Sequence, residues 1–124
     1  MNNRLILIIE DNEQNTKLVK DLLQYKGYRT MEAVNGLEGI ETAIKYRPQL
    51  ILMDIQMPVM NGLEATRKLK ELPETRSIPV VALTSWAMKG DEKIILEAGC
   101  DDYMAKPINT RHFIKLVDSY FNAS

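Results

Sequence analysis

The stretch Leu50-Ile51-Leu52-Met53-Asp54 sets four apolar side chains against one terminal acid. A strand with water on one face alternates apolar and polar residues. An unbroken apolar run suits a strand covered on both faces, as in a parallel sheet held between helical layers. Leu5 to Ile9 and Pro79 to Leu83 have the same character, and weaker runs lie at Tyr28 to Val34 and Tyr103 to Ala105. Stretches of helical period separate them, at about Glu13 to Lys26, Leu37 to Tyr46, Leu63 to Leu72, Lys89 to Ala98 and Thr110 to Phe121. In the first, Leu18, Leu22 and Tyr25 share a face with Val19 and Leu23, with polar residues opposite. Gly27 and Gly99 stand where a helix-ending glycine takes up left-handed backbone, and Asn35-Gly36 and Asn109-Thr110 read as helix starts. Five βα units predict a doubly wound α/β domain, a five-stranded parallel sheet with five helices packed on both faces. At 124 residues the chain is too short for an eight-unit barrel, and a single domain over residues 1–124 is expected.

Bulk properties narrow the function classes. With 45% hydrophobic and 27% charged residues, the chain has the balance of a globular protein rather than a disordered one. Sixteen basic against 17 acidic residues leave a net charge of -1, without the basic excess expected of a nucleic-acid or membrane-surface binder. No apolar run approaches membrane-spanning length, and the N-terminal stretch is no secretory signal. Cys100 is the sole cysteine, which rules out an intrachain disulfide. A cytoplasmic location is the expectation, with no direct nucleic-acid contact and no membrane insertion.

Ligands of an open parallel sheet bind at the carboxyl ends of its strands, so the chemistry depends on what each strand delivers there. The first run ends in Glu10-Asp11, the third in Asp54, the fourth in Thr84-Ser85 and the last in Lys106-Pro107. Three carboxylates brought together repel one another, and one lysine cannot neutralise them. These oxygen donors favour a hard divalent cation, Mg²⁺ above all, with Mn²⁺ able to stand in. A carboxylate beside such an ion, an ammonium and a hydroxyl is a sensible phosphoryl acceptor, which already suggests an aspartyl phosphate.

Four segments together resemble the receiver domain of two-component response regulators (the CheY-like family) over essentially the whole chain. They are Ile8-Ile9-Glu10-Asp11-Asn12, Leu52 to Gly62 with Asp54 inside it, Ala82-Leu83-Thr84-Ser85, and Met104-Ala105-Lys106-Pro107. The resemblance implies a flavodoxin-like strand order 2-1-3-4-5. Asp54 would accept a phosphoryl group from a phosphohistidine on a histidine kinase or a histidine phosphotransfer protein. Glu10, Asp11, Asp54 and the backbone carbonyl of Gln56 would hold the metal, and Thr84 and Lys106 would contact the phosphoryl group. Tyr103 would be the aromatic switch, and Gln56 and Trp86 would tune the lifetime of the phosphorylated state. The Lys106–Pro107 peptide would be cis. The surface of the fourth helix, fifth strand and fifth helix would then select a downstream protein target.

Two other readings carry less. A phosphatase of the haloacid-dehalogenase type also attacks with a strand-end Asp, but wants a carboxylate two residues on, where this chain has Gln56. A receiver retained only for binding would normally have lost part of the acidic set, whereas this sequence keeps every member. Nucleotide binding lacks its glycine-rich loop after the first strand. Too little chain follows Lys106 for an output domain, so signalling through protein contacts is expected, although the same domain could also sit in a hybrid kinase. Autodephosphorylation should be slow, and the protein is not expected to be a conventional enzyme.

Overall fold

A computed structural model describes residues 4–57, 60–85 and 91–121. The elements alternate without exception: β1 (Leu5–Ile9), α1 (Glu13–Tyr25), β2 (Arg29–Ala33), α2 (Gly36–Tyr46), β3 (Leu50–Asp54), α3 (Gly62–Glu71), β4 (Val80–Thr84), α4 (Asp91–Glu97), β5 (Asp102–Ala105) and α5 (Thr110–Phe121). All strand pairs are parallel and the order is β2-β1-β3-β4-β5, as the sequence leads one to expect. The three continuous apolar runs are β1, β3 and β4, buried along their whole length. The weaker runs are the two edge strands, where fewer residues need be apolar.

Side chains alternate along each strand, so the sheet divides its core in two. Leu7, Ile9, Ile51, Met53, Val80 and Ala82 face α2, α3 and α4, meeting Ala43, Leu69 and Ile95. Ile6, Ile8, Leu50, Leu52, Val81 and Leu83 face α1 and α5, meeting Val19, Leu23, Phe113 and Val117.

One sequence-based expectation needs narrowing. The apolar face of α1 is wider than its buried stripe. Val19 and Leu23 are buried, but Leu18 is 47% and Tyr25 89% exposed, because α1 presents only one edge of that face to the sheet. Two helix starts behave as read: Asn35 accepts from the Glu38 N–H at 2.9 Å and Asn109 from the His112 N–H at 3.0 Å, at the starts of α2 and α5. Asn12 and Asn61 do the same for α1 and α3, at 3.0 and 2.9 Å, although the sequence reading did not single them out. Gly27 (φ 90°) and Gly99 (φ 110°) supply the left-handed backbone after α1 and α4.

Candidate functional site

Strand alternation decides which strand-end residues meet. In β1, Ile6 and Ile8 point toward α1 and α5, and two residues on is Glu10; in β3, Leu50 and Leu52 lead in the same way to Asp54, and in β5 Met104 leads to Lys106. All three therefore emerge on one side of the sheet's carboxyl edge. Lys106 Nζ lies 3.0 Å from Glu10 Oε2 and 3.3 Å from Asp54 Oδ1, donating to both. Glu10 is 5% and Asp54 2% exposed, so this is a buried three-membered ion cluster rather than a surface pair.

The backbone supplies two further donors. Asn12 N–H reaches Glu10 Oε1 at 3.3 Å, and Gln56 N–H reaches Asp54 Oδ1 at 3.2 Å. The segment that carries Asp54 is clamped hard. Ile55 N–H donates to Leu83 O at 3.2 Å, and Gly62 N–H donates to Ile55 O at 3.0 Å. A Cβ on Gly62 would sit 2.3 Å from Asp54 O and 2.8 Å from Ile55 Cα, so only glycine lets α3 begin this close to Asp54.

Charge in this pocket is unbalanced. Asp11, exposed at the mouth, brings its carboxylate to the other two, and oxygens of Glu10, Asp11 and Asp54 all lie within 4.8 Å of one another. Burial, reinforced by the hydrogen bond and charge of Glu10, pushes the Asp54 carboxyl up to about 7, although Lys106 and the Gln56 N–H pull it down. Lys106 shows the mirror effect. Burial disfavours its ammonium, yet Glu10 and Asp54 outweigh that and its pKa is raised. Three carboxylates gathered around a single ammonium form an oxygen-rich pocket with an excess of acidic groups, which a divalent cation would offset. The donor set therefore fits Mg²⁺ or Mn²⁺.

The remaining predicted residues stand differently. Thr84, fully buried, ends β4 beside Ala105 of β5; alternation places it with Val80 and Ala82 on the α2–α4 side. Tyr103 pairs with Ala82 and packs, half-buried, against that same cluster. Glu92 of α4 lies near its hydroxyl and, with a little burial, raises its pKa. Gln56 is exposed and adjoins Asp54. The Lys106–Pro107 peptide is cis. Trp86 lies outside the described residues. The sequence reading missed the Asn12 and Gln56 N–H donors, because any residue type carries a backbone N–H. It also missed Glu92, whose acidic side chain on a helix face gave no signal.

Comparison with known proteins agrees with this picture. Residues 6–118 match the response regulator receiver domain family. The chain is 50% identical over 115 residues to the polar-differentiation response regulator DivK of Brucella anthropi, covering 93% of this chain and 94% of that protein. The receiver domain of a sensor histidine kinase from Pseudomonas aeruginosa PAO1 was solved with magnesium coordinated in its active-site cleft. It superposes with a TM-score of 0.88 at 33% identity, over 94% of this chain and 96% of that one. The Mn²⁺-bound form of response regulator Rcp1 gives a TM-score of 0.79 at 26% identity, over 95% and 94% of the two chains.

Proposed function

The chain belongs to the response regulator receiver domain family, and from that premise we propose that Asp54 is its phosphoacceptor, served by Glu10, Asp11, Lys106 and Thr84. Asp54 Oδ forms a bond to phosphorus as the P–N bond of a donor phosphohistidine breaks, and the imidazole keeps the electron pair and takes up a proton. Glu10, Asp11, Asp54 and the Gln56 carbonyl would hold Mg²⁺ or Mn²⁺, which when bound would supply positive charge to the transferring group's oxygens. Lys106 offers its ammonium to the same oxygens, while its bonds to Glu10 and Asp54 keep it on station. Thr84 contributes its hydroxyl, and Tyr103, on the same side of the sheet, turns inward with it to alter the α4-β5-α5 surface.

The observation that carries this reading is the buried Asp54 carboxyl, joined to Lys106 beside Glu10 and Asp11 at the carboxyl edge of the sheet, and raised to about 7 by burial and by Glu10. The phosphodonor is a histidine kinase or histidine phosphotransfer protein, and the downstream partner is a protein that reads α4-β5-α5. Residues 1–124 act as one receiver domain in the cytoplasm, and water removes the phosphoryl group slowly, without turnover of external substrates. No helix among the described residues is long and apolar enough to cross a membrane. Incubation with acetyl phosphate and Mg²⁺, followed by intact mass, tests the assignment. Wild type should gain one phosphoryl group and Asp54→Asn none. A wild type that gains nothing, or an Asp54→Asn variant that gains as much, overturns it.

A further inference from the structure

Gln56 makes two bonds in opposite directions. Its backbone N–H donates to the Asp54 carboxylate at 3.2 Å, and its side-chain Oε1 accepts from the backbone N–H of Ser85 at 3.4 Å. Ser85 follows Thr84 directly, so the amide of Gln56 spans from the β3 end to the β4 end across the mouth of the pocket. The two ends of that span are held differently. Residues 54–56 are pinned by Ile55 N–H to Leu83 O and by Gly62 N–H to Ile55 O, with Ile55 and Met57 buried. Ser85 is exposed beyond the last residue of β4. The donor is a backbone N–H, so the amide oxygen of Gln56, and not its NH₂, must face Ser85.

We propose that Gln56 is a positioning residue, whose side chain latches the start of the β4–α4 loop to the acceptor strand and so holds Thr84 in its resting place. The idea rests on Asp54 being the acceptor. A neutral hydrogen bond of this length is weak, which suits a loop that must let go when Thr84 moves.

The experiment compares wild type, Gln56→Met, which keeps length without an acceptor, and Gln56→Glu, which restores one. Exchange of the Ser85 amide proton is followed by NMR in the metal-free, unphosphorylated protein, where added carboxylate charge cannot act through bound Mg²⁺. The initial rate of phosphorylation by acetyl phosphate is measured alongside. Exchange of Ser85 should speed up about threefold in Gln56→Met and return to the wild-type rate in Gln56→Glu, and Gln56→Met should accept about threefold faster. Unchanged Ser85 exchange in Gln56→Met overturns the latch, as does a variant in which only loss of the phosphoryl group is altered. A wild type that accepts nothing refutes the acceptor reading instead, while the amide exchange still reports on the latch.

Discussion

The two sides of the sheet's carboxyl edge are built from the same strands and do different things. The side toward α1 and α5 receives Glu10, Asp54 and Lys106, all at least four-fifths buried at the side chain and joined to one another. The side toward α2, α3 and α4 receives Thr84 and Tyr103, one buried and neutral, the other half-exposed and near a helix surface. Strand alternation alone makes this division. It teaches that the buried charged cluster and the surface proposed to report on it lie on opposite faces of one sheet, with Thr84 of β4 proposed to serve both and β4 and β5 common to the two.

Removing a member of the charged side is the hardest blow to that separation. Lys106→Met takes away the cation between two buried carboxylates. Breaking a buried cluster in this way costs on the order of 3 kcal/mol, limited here because Asp54 can take up a proton. Urea unfolding in EDTA should show that loss, and acceptance from acetyl phosphate should fall at least tenfold. Retained stability would mean the cluster is looser than its 3.0 and 3.3 Å bonds imply.

Gly62→Ala strikes the backbone that both sides share. A Cβ 2.3 Å from Asp54 O must displace either α3 or the acceptor, at a cost of about 2 kcal/mol, measurable as a lower Tm. Acceptance should fall with it, because the Asp54 carboxylate is aimed by this segment.

Asp54→Asn should act in the opposite direction on stability. The folded carboxyl sits near 7 against 3.8 for an ordinary aspartate, so the folded state binds more protons between those values. The stability this group contributes is full below about pH 4 and is lost as pH rises through about 7. Asparagine carries no such loss. In the absence of metal, the variant should match wild type near pH 4 and exceed it at pH 8 by roughly 2 kcal/mol, about half of what the full shift corresponds to, because solvent at the pocket mouth screens part of it. Chemical unfolding at the two pH values reads this directly, and a gap that narrows toward pH 8 would contradict the electrostatic account.

Much of this arrangement was legible beforehand, for a physical reason. A doubly covered parallel sheet forces unbroken apolar runs, and such runs mark strand ends clearly, so Glu10, Asp54, Thr84 and Lys106 could be assigned to one edge. Edge strands β2 and β5 were fainter because only part of each is covered. Helix α1 was read too generously, since an apolar stripe on a helix does not say how much of it the sheet will take: Leu18 and Tyr25 stay in water. Which side of the edge each residue reaches was implicit in the alternation, but only once the strand limits were fixed. The backbone donors to Glu10 and Asp54, and the span from Gln56 to Ser85, depend on loop geometry that no residue type announces.

The gentlest change gives the finest test of the division. Tyr103→Phe deletes only the hydroxyl that lies near the exposed Glu92 of α4, so its effect on stability should stay below about 1 kcal/mol. Tyr103 also faces away from Glu10, Asp54 and Lys106, so acceptance from acetyl phosphate should remain within about twofold of wild type. The consequence should appear instead at α4 and β5, where loss of the hydroxyl near Glu92 frees the ring and changes the amide spectra of both elements without phosphorylation. Stopped acceptance with an undisturbed α4 would reverse the assignment, placing Tyr103 in the chemistry rather than in its readout.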